Sequence, residues 1–346
     1  MSSDKSSPVS LQSVFYTIVI LAFVFYIFVV GQEILIPFVI AVFIWCLINA
    51  ISDIFRKVLK VPDTILKVLS VIVLMAVVWF PVQLIVDSIP QVIEDAPKYQ
   101  KNFENIVQKL LMNFEFGNTR ILSQIYENID IGVFITEAVK AVARFTGNFF
   151  LITLYVVFLL LEQTYFKQKL LYMFIESSSQ KKAKKIMDDV YEKVKSYIWL
   201  KTVLSLVTSL LSFIVFKYVG LNYAAVWALL VFLLNFIPNI GSVVATIFPS
   251  LITLVQFDQM TSFFIVVSAV GMIQLIVGNV FEPKLMGRTL NLSSLVIIMS
   301  LILWGGVWGV SGAFLSVPIM VVLTIFFAEF SITRPLAILL SKDGKV

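Results

Sequence analysis

Few residues of this chain can do chemistry, and most of them fall in two short stretches. The first, NFIPNIGSVVATIFP (235–249), sets Asn235, Pro238, Asn239, Gly241, Ser242 and Pro249 inside an otherwise apolar tract. The second, QLIVGNVFEPKLMGRTLNLSS (274–294), carries Gln274, Asn279, Glu282, Pro283, Lys284, Gly287 and Arg288. Amides and hydroxyls at this density suit the holding of a small polar molecule by hydrogen bonds. Glu282, with Lys284 or Arg288 as its expected partner, either neutralises itself in a surface turn or acts as the ionisable group of a membrane path. A chain without histidine has no Ser-His-Asp triad, no His-zinc site and no Cys-His pair. No Ser-Lys or paired-Asp arrangement falls at one depth either. An enzyme is therefore not expected, nor a metal or cofactor. The one cysteine, Cys46, lies in an apolar run and reads as a small buried hydrophobe.

The elements that position these residues are set by the solvent. The 346 residues are 60% hydrophobic and 14% charged, against roughly 45–50% and about 25% in soluble domains. Mean hydropathy is +0.98. This is the composition of an integral membrane protein. Apolar stretches predict spans near 13–30, 34–51, 65–86, 145–162, 198–219, 222–237, 240–256, 262–281, 292–306 and 312–330. Those at 240–256 and 292–306 are short for a crossing, which takes about 20 residues. The expected fold is all-α, with about eight transmembrane helices, broken or re-entrant hairpin helices in the C-terminal half, and an outer helical insert between spans three and four. The expected regions are an N-terminal scaffold (1–86), the insert (87–144), a fourth span with a basic amphipathic helix (145–201), and a transport region with the C-terminal tail (202–346).

Charge orients the spans. Residues 162–201 hold nine Lys against five acids, and 52–67 carry Arg56, Lys57, Lys60 and Lys67, so both are expected in the cytoplasm, with the C-terminus. Residues 87–144 hold six basic and eight acidic residues, which suits the outside. The net charge of +5 follows from this asymmetry and does not call for a nucleic-acid partner. In 97–114, Tyr99, Phe103, Ile106, Leu110 and Phe114 form one apolar stripe starting after Pro97, a favourable first helical position. In 181–201, Ile186, Val190, Val194 and Tyr197 line one face and lysines crowd the rest, as in a helix lying on anionic lipid.

Irregular backbone survives at membrane depth only where protein or water covers it. Pro238 cannot donate an N–H and Gly241 tolerates unusual dihedrals, so PNIG ends one helix and opens another. It is either a surface turn or a hairpin tip that enters the membrane and meets cargo. The second is preferred because no charged residue occurs from 218 to 257. A third polar stretch, LWGGVWGVSGAFLSVP (303–318), holds Gly305, Gly306, Gly309, Gly312 and Pro318. It serves either close helix packing or a second broken hairpin. The pair IGSVVATIFP and VSGAFLSVP, about 70 residues apart, hints at a repeat, and transporter repeats pair broken helices at the substrate site.

With these stretches in this order, NFIPNIGSVVATIFPSL and GNVFEPKLMGRTLNLSSLVIIMSLILWGGVWGVSGAFLSVPI, the chain resembles the autoinducer-2 exporter family of bacterial permeases. The family's proline-asparagine-x-glycine turn matches Pro238, Asn239 and Gly241. Its glutamate-proline-lysine and glycine-arginine elements match Glu282, Pro283, Lys284, Gly287 and Arg288. The resemblance implies a bacterial inner-membrane homo-oligomer that exports a small polar metabolite or signalling molecule such as autoinducer-2. Other members resemble sodium(lithium)/proton antiporters, so a coupling proton or sodium ion stays open. A membrane scaffold without transport is the third reading. Asn235, Ser242, Gln274 and Asn279 join the matched polar residues as the expected substrate site. Pro249, Pro283, Gly287, Gly305, Gly306, Gly309, Gly312 and Pro318 are the expected hinge or packing positions.

Overall fold

The computed structural model describes residues 11–58, 61–113, 131–173, 177–257, 260–286 and 291–345. The described residues are almost wholly helical, with no strand beyond an isolated bridge between Leu292 and Ser341. The helices are α1 (Leu11–Val30), α2 (Gln32–Val58), α3 (Asp63–Asn113), α4 (Ile131–Tyr172), α5 (Ser177–Val219), α6 (Ala224–Leu234), α7 (Ile240–Gln256) and α8 (Met260–Ile276). After a π-helical turn (Val277–Phe281) come α9 (Glu282–Met286), α10 (Ser294–Glu329) and α11 (Arg334–Leu340). Among the described residues, four stretches are long and apolar enough to cross a membrane, namely Gln32–Val58, Ser179–Val219, Met260–Met286 and Ser294–Glu329, and shorter apolar helices accompany them.

The main core joins α2, α4, α5 and α10. On α2 the fully buried Pro37, Ala41 and Ile48 and the buried Ser52 recur at spacings of four, seven and four, one face of a helix. They face Ile152 of α4, Tyr197 and Ile198 of α5, and Val321 of α10. Elsewhere on α2, Ile34, Phe38 and Ile54 are exposed, as lipid contact requires. Lys195 of α5 holds Asp53 of α2 at 3.1 Å, and the Trp45 indole N–H donates to Gln163 of α4 at 2.9 Å.

Two expected boundaries are replaced by continuous helix. The predicted span 65–86 and the separate helix starting at Pro97 form the single α3, which accommodates Pro81, Pro90 and Pro97 internally. Proline costs one backbone hydrogen bond and a local kink, not necessarily a helix end. Likewise 181–201 and the following span are one helix, α5. Its stripe of Ile186, Val190, Val194 and Tyr197 packs into the protein core instead of dipping into lipid. Lys181 and Lys184 lie on its outward face, and Lys182 and Lys185, also exposed, reach the Glu329 carbonyl and carboxylate.

The C-terminal half is built from two helical hairpins. In the first, α6 and α7 fold back through 235–239. Gly241 is required there, since a Cβ on it would lie 1.8 Å from the Leu234 carbonyl oxygen. In the second, α10 is broken at Gly309, whose φ of 60° and ψ of −140° leave the helical region. A straight helix would separate Ser300 and Ser316 by about 24 Å, yet the Ser300 hydroxyl donates to the Ser316 carbonyl at 3.1 Å. The two arms are therefore antiparallel, and a Cβ on Gly312 would lie 1.8 Å from the Trp304 carbonyl oxygen. Gly241 and Gly312 thus perform the same task at equivalent places in the two hairpins. Pro249 and Pro318 are buried in the returning arms. The hairpins touch through Phe236 and Phe314, stacked at 4.6 Å, with Phe43 of α2 against both.

Candidate functional site

The tip of the first hairpin is strained in a defined way. Asn239 has φ 58° and ψ −58°, and the Ile240 N–H donates to the Pro238 carbonyl at 2.6 Å. That is a γ-turn of the rarer, positive-φ kind. Proline at 238 and a short amide side chain at 239 suit it, since Asn tolerates positive φ better than most residues. The Ser242 hydroxyl ties the turn to its helix by donating to the Asn239 carbonyl at 2.8 Å.

This tip forms one wall of a cavity of about 890 Å³. The tip contributes Asn235, Pro238, Asn239 and Ser242, with Thr246 one turn further along α7. From α5 come Lys201, Ser205 and Thr208, and from α8 and the π-helical turn Gln274, Gly278 and Asn279. Glu282 and Pro283 close one end. Asn291, Leu292, Lys342 and Asp343 form the rim, where the tail pairs with the segment before α10 through the Lys342 N–H to the Asn291 carbonyl. Asp343 is exposed, and the Lys345 backbone N–H holds its carboxyl below the usual carboxylate range.

Of the expected substrate residues, Asn235, Pro238, Asn239, Ser242, Gln274, Asn279 and Glu282 are brought together on this cavity. Gly241 stands behind the tip as a packing residue, and Lys284 is exposed and off the cavity wall. Arg288 and Gly287 lie outside the described residues. The expected pairing of Glu282 with Lys284 or Arg288 is corrected in part: the partner seen is Lys201 of α5, 81 residues away, at 2.6 Å. Lys201 is almost completely buried, and a cation so placed needs an acid beside it. The π-helical turn gives Glu282 its direction. The Glu282 N–H donates to the Val277 carbonyl five residues back, a widened register that displaces the chain beyond it.

Lys201, Ser205 and Thr208 were not expected in the site. A signal existed: Lys201 closes a charge-rich run but falls inside the predicted span 198–219, where an ionisable residue is a functional candidate. Cys46 is buried in the core as expected. Among the described residues, no group of His, Cys, Asp and Glu could hold a metal ion.

Comparison with known proteins gives this arrangement its setting. A sequence model of the AI-2E family of transporters matches residues 18–332. The chain is 32% identical over 318 residues to a Haemophilus influenzae protein provisionally named a transport protein, covering 90% of each chain. It is 29% identical over 323 residues to the AI-2 transport protein TqsA of Escherichia coli K12, covering 91% of each. A provisionally named transport protein of Borreliella burgdorferi is 26% identical over 334 residues, covering 96% of this chain and 91% of the relative. With nearly the whole length matched, several apolar helices and a polar cavity behind a broken helix, the chain belongs to the AI-2E family of transporters and is a multi-pass membrane protein.

Proposed function

We propose that the protein moves a small polar metabolite or signalling molecule, of the kind represented by autoinducer-2, across the bacterial inner membrane by alternating access. The observation that carries this reading is the cavity of about 890 Å³ at the tip of the first hairpin, where amides, hydroxyls and the Lys201–Glu282 pair share the wall with apolar side chains. Its volume lies within the range of small-molecule sites, about 300–1,000 Å³. The two hairpins and α8 are the moving part; α1 to α4 are the scaffold. The cavity side, with the tail, is the cytoplasmic side, as the lysine distribution supports.

A cation/proton antiporter needs a carboxylate free to titrate in the path. Of the two acids on the cavity wall, Glu282 is held by Lys201 and Asp343 sits on the exposed tail. This reading is therefore less favoured.

The test is purified protein in liposomes against a labelled metabolite panel, with and without sodium and pH gradients. Flux is expected for one compound class, saturable and lost on cross-linking α3 to α7. The Asn102 side-chain amide donates to the Val255 carbonyl at 2.9 Å, so Asn102→Cys with Val255→Cys, bridged by a bifunctional thiol reagent in a Cys46→Ser background, makes the lock. Full flux in the locked protein rejects alternating access, and no flux for any compound rejects the cargo reading.

A further inference from the structure

Buried hydroxyls in membrane helices normally donate to the carbonyl one turn back, as Thr208 does to Leu204 at 2.9 Å. Ser205 and Ser212 of α5 do not. Both are fully buried, and neither hydroxyl has a hydrogen-bond partner. The Trp227 indole nitrogen of α6 and the Gln274 amide nitrogen of α8 are in the same condition. A buried polar atom left unbonded lowers stability. Among the described residues the Trp304 indole nitrogen of α10 is the fifth such atom; the other four, spread over α5, α6 and α8, call for something that arrives to bond them.

Their placement forms a line. Lys201, Ser205, Thr208 and Ser212 follow one another at spacings of four, three and four, a single stripe of α5, and all four are buried. The cavity covers the first three and Gln274. Ser212 lies beyond its end, and Trp227 borders the apolar cluster of Phe213 and Phe216 one turn further on. From Lys201 to Gly220 the helix rises about 28 Å, close to the roughly 30 Å of a bilayer core. At the far end a clasp joins the base of the first hairpin to α3. The Tyr223 hydroxyl donates to Asp95 at 2.6 Å and the Asn222 side-chain amide to Tyr99 at 3.1 Å. The Asn222 N–H donates to Gln256 at 2.8 Å.

We propose that cargo passes along this stripe, between α5, α8 and the α6–α7 hairpin, and that the clasp at Asn222 and Tyr223 is its closed outlet. The inference rests on the transport reading above and adds a route and a cargo chemistry. Beyond Lys201 and Glu282 the seam offers hydroxyl, amide and indole groups, and no charged residue occurs in 202–216 of α5 or in 218–257. An uncharged molecule bearing hydroxyl or carbonyl oxygens fits it. Ser205, Gln274 and Ser212 are successive stations.

The test uses the full chain in liposomes, with Cys46→Ser as background and N-ethylmaleimide as probe, which reacts with hydrated thiolates and not with thiols sealed in apolar surroundings. Asn279→Cys, exposed on the cavity wall, should label at rest. Ser212→Cys should label slowly at rest and about tenfold faster once Asn222→Ala and Tyr223→Phe cut the clasp. Ser70→Cys, buried on α3, should stay inert in both. Ser212→Cys as inert as Ser70→Cys in both backgrounds overturns the route. As a second readout, Ser212→Ala should raise the thermal midpoint, by removing an unbonded hydroxyl, while lowering the flux several-fold. A fall in stability, or unchanged flux, assigns the hydroxyl a structural role and also overturns the route. If no panel compound is carried but cutting the clasp exposes Ser212→Cys, the cargo assignment fails and the route stands.

Discussion

Cutting the Lys201–Glu282 pair should reveal which partner the protein can least afford to leave alone. At the observed 2.6 Å and an effective dielectric near 20, the mutual attraction is about 6 kcal/mol, much of it offsetting desolvation. Removing one partner of a buried pair costs about 3–5 kcal/mol, because the other charge is stranded. The two partners are not equally buried: the Lys201 side chain is 7% exposed and that of Glu282 29%. After Lys201→Met the stranded carboxylate still reaches water, so the loss falls near the lower figure. After Glu282→Gln the stranded ammonium is shut off from water, so the loss falls near the upper one. With an unfolding entropy of roughly 2.1 cal/mol/K per residue, these losses lower the thermal midpoint by roughly 4 and 7 °C. The double variant should recover most of the loss. The assay is thermal unfolding of the detergent-purified protein followed by tryptophan fluorescence. Equal midpoints for wild type and both single variants, or strictly additive losses in the double, would refute the pair as a structural tie. A larger loss for Lys201→Met would refute the burial argument.

Gly241→Ala and Gly312→Ala each push a Cβ into backbone and should lose at least about 3 kcal/mol or fail to fold. Gly306→Ala has open space and should match wild type in expression and midpoint. Asn239→Gly should relieve the positive-φ strain and raise stability by about 1 kcal/mol, while transport KM rises because an amide leaves the cavity wall; an unchanged KM removes Asn239 from the site. Replacing the exposed Lys181 and Lys184 by Gln should reduce the preference for anionic over zwitterionic lipid in nanodisc binding, and an unchanged preference removes that lipid contact.

Breaks in the helical pattern were legible wherever the residue type forces them. The α7 boundaries coincide with the apolar stretch 240–256, since Pro238 and Gly241 leave few other conformations to that turn. Gly309 similarly marks the second break. The polar part of the cavity wall in 235–242 and 274–283 could be read because its residues cluster in sequence. Continuity was harder: Pro97 looked like a helix start, and the change from lysine-rich to apolar sequence at 201 looked like a joint. Neither proline nor a shift in polarity must end a helix. Lys201 escaped because its partner is distant in sequence, and only the packing of α5 against the π-helical turn and α9 joins them.

The length of α3 has a mechanical consequence. Its 51 residues make a rod of roughly 75 Å, and it is attached to the first hairpin at Asp95, Tyr99 and Asn102, well along its length. A tilt of about 5° about its Asp63 end would carry its far tip through roughly 6 Å, more than one helical turn's rise. Such a lever turns a slight sway near its pivot into a stroke large enough to pull on the hairpin's base. Force applied near Asn113 would reach the hairpin's base through one helix, redirected only where Pro81, Pro90 and Pro97 bend it.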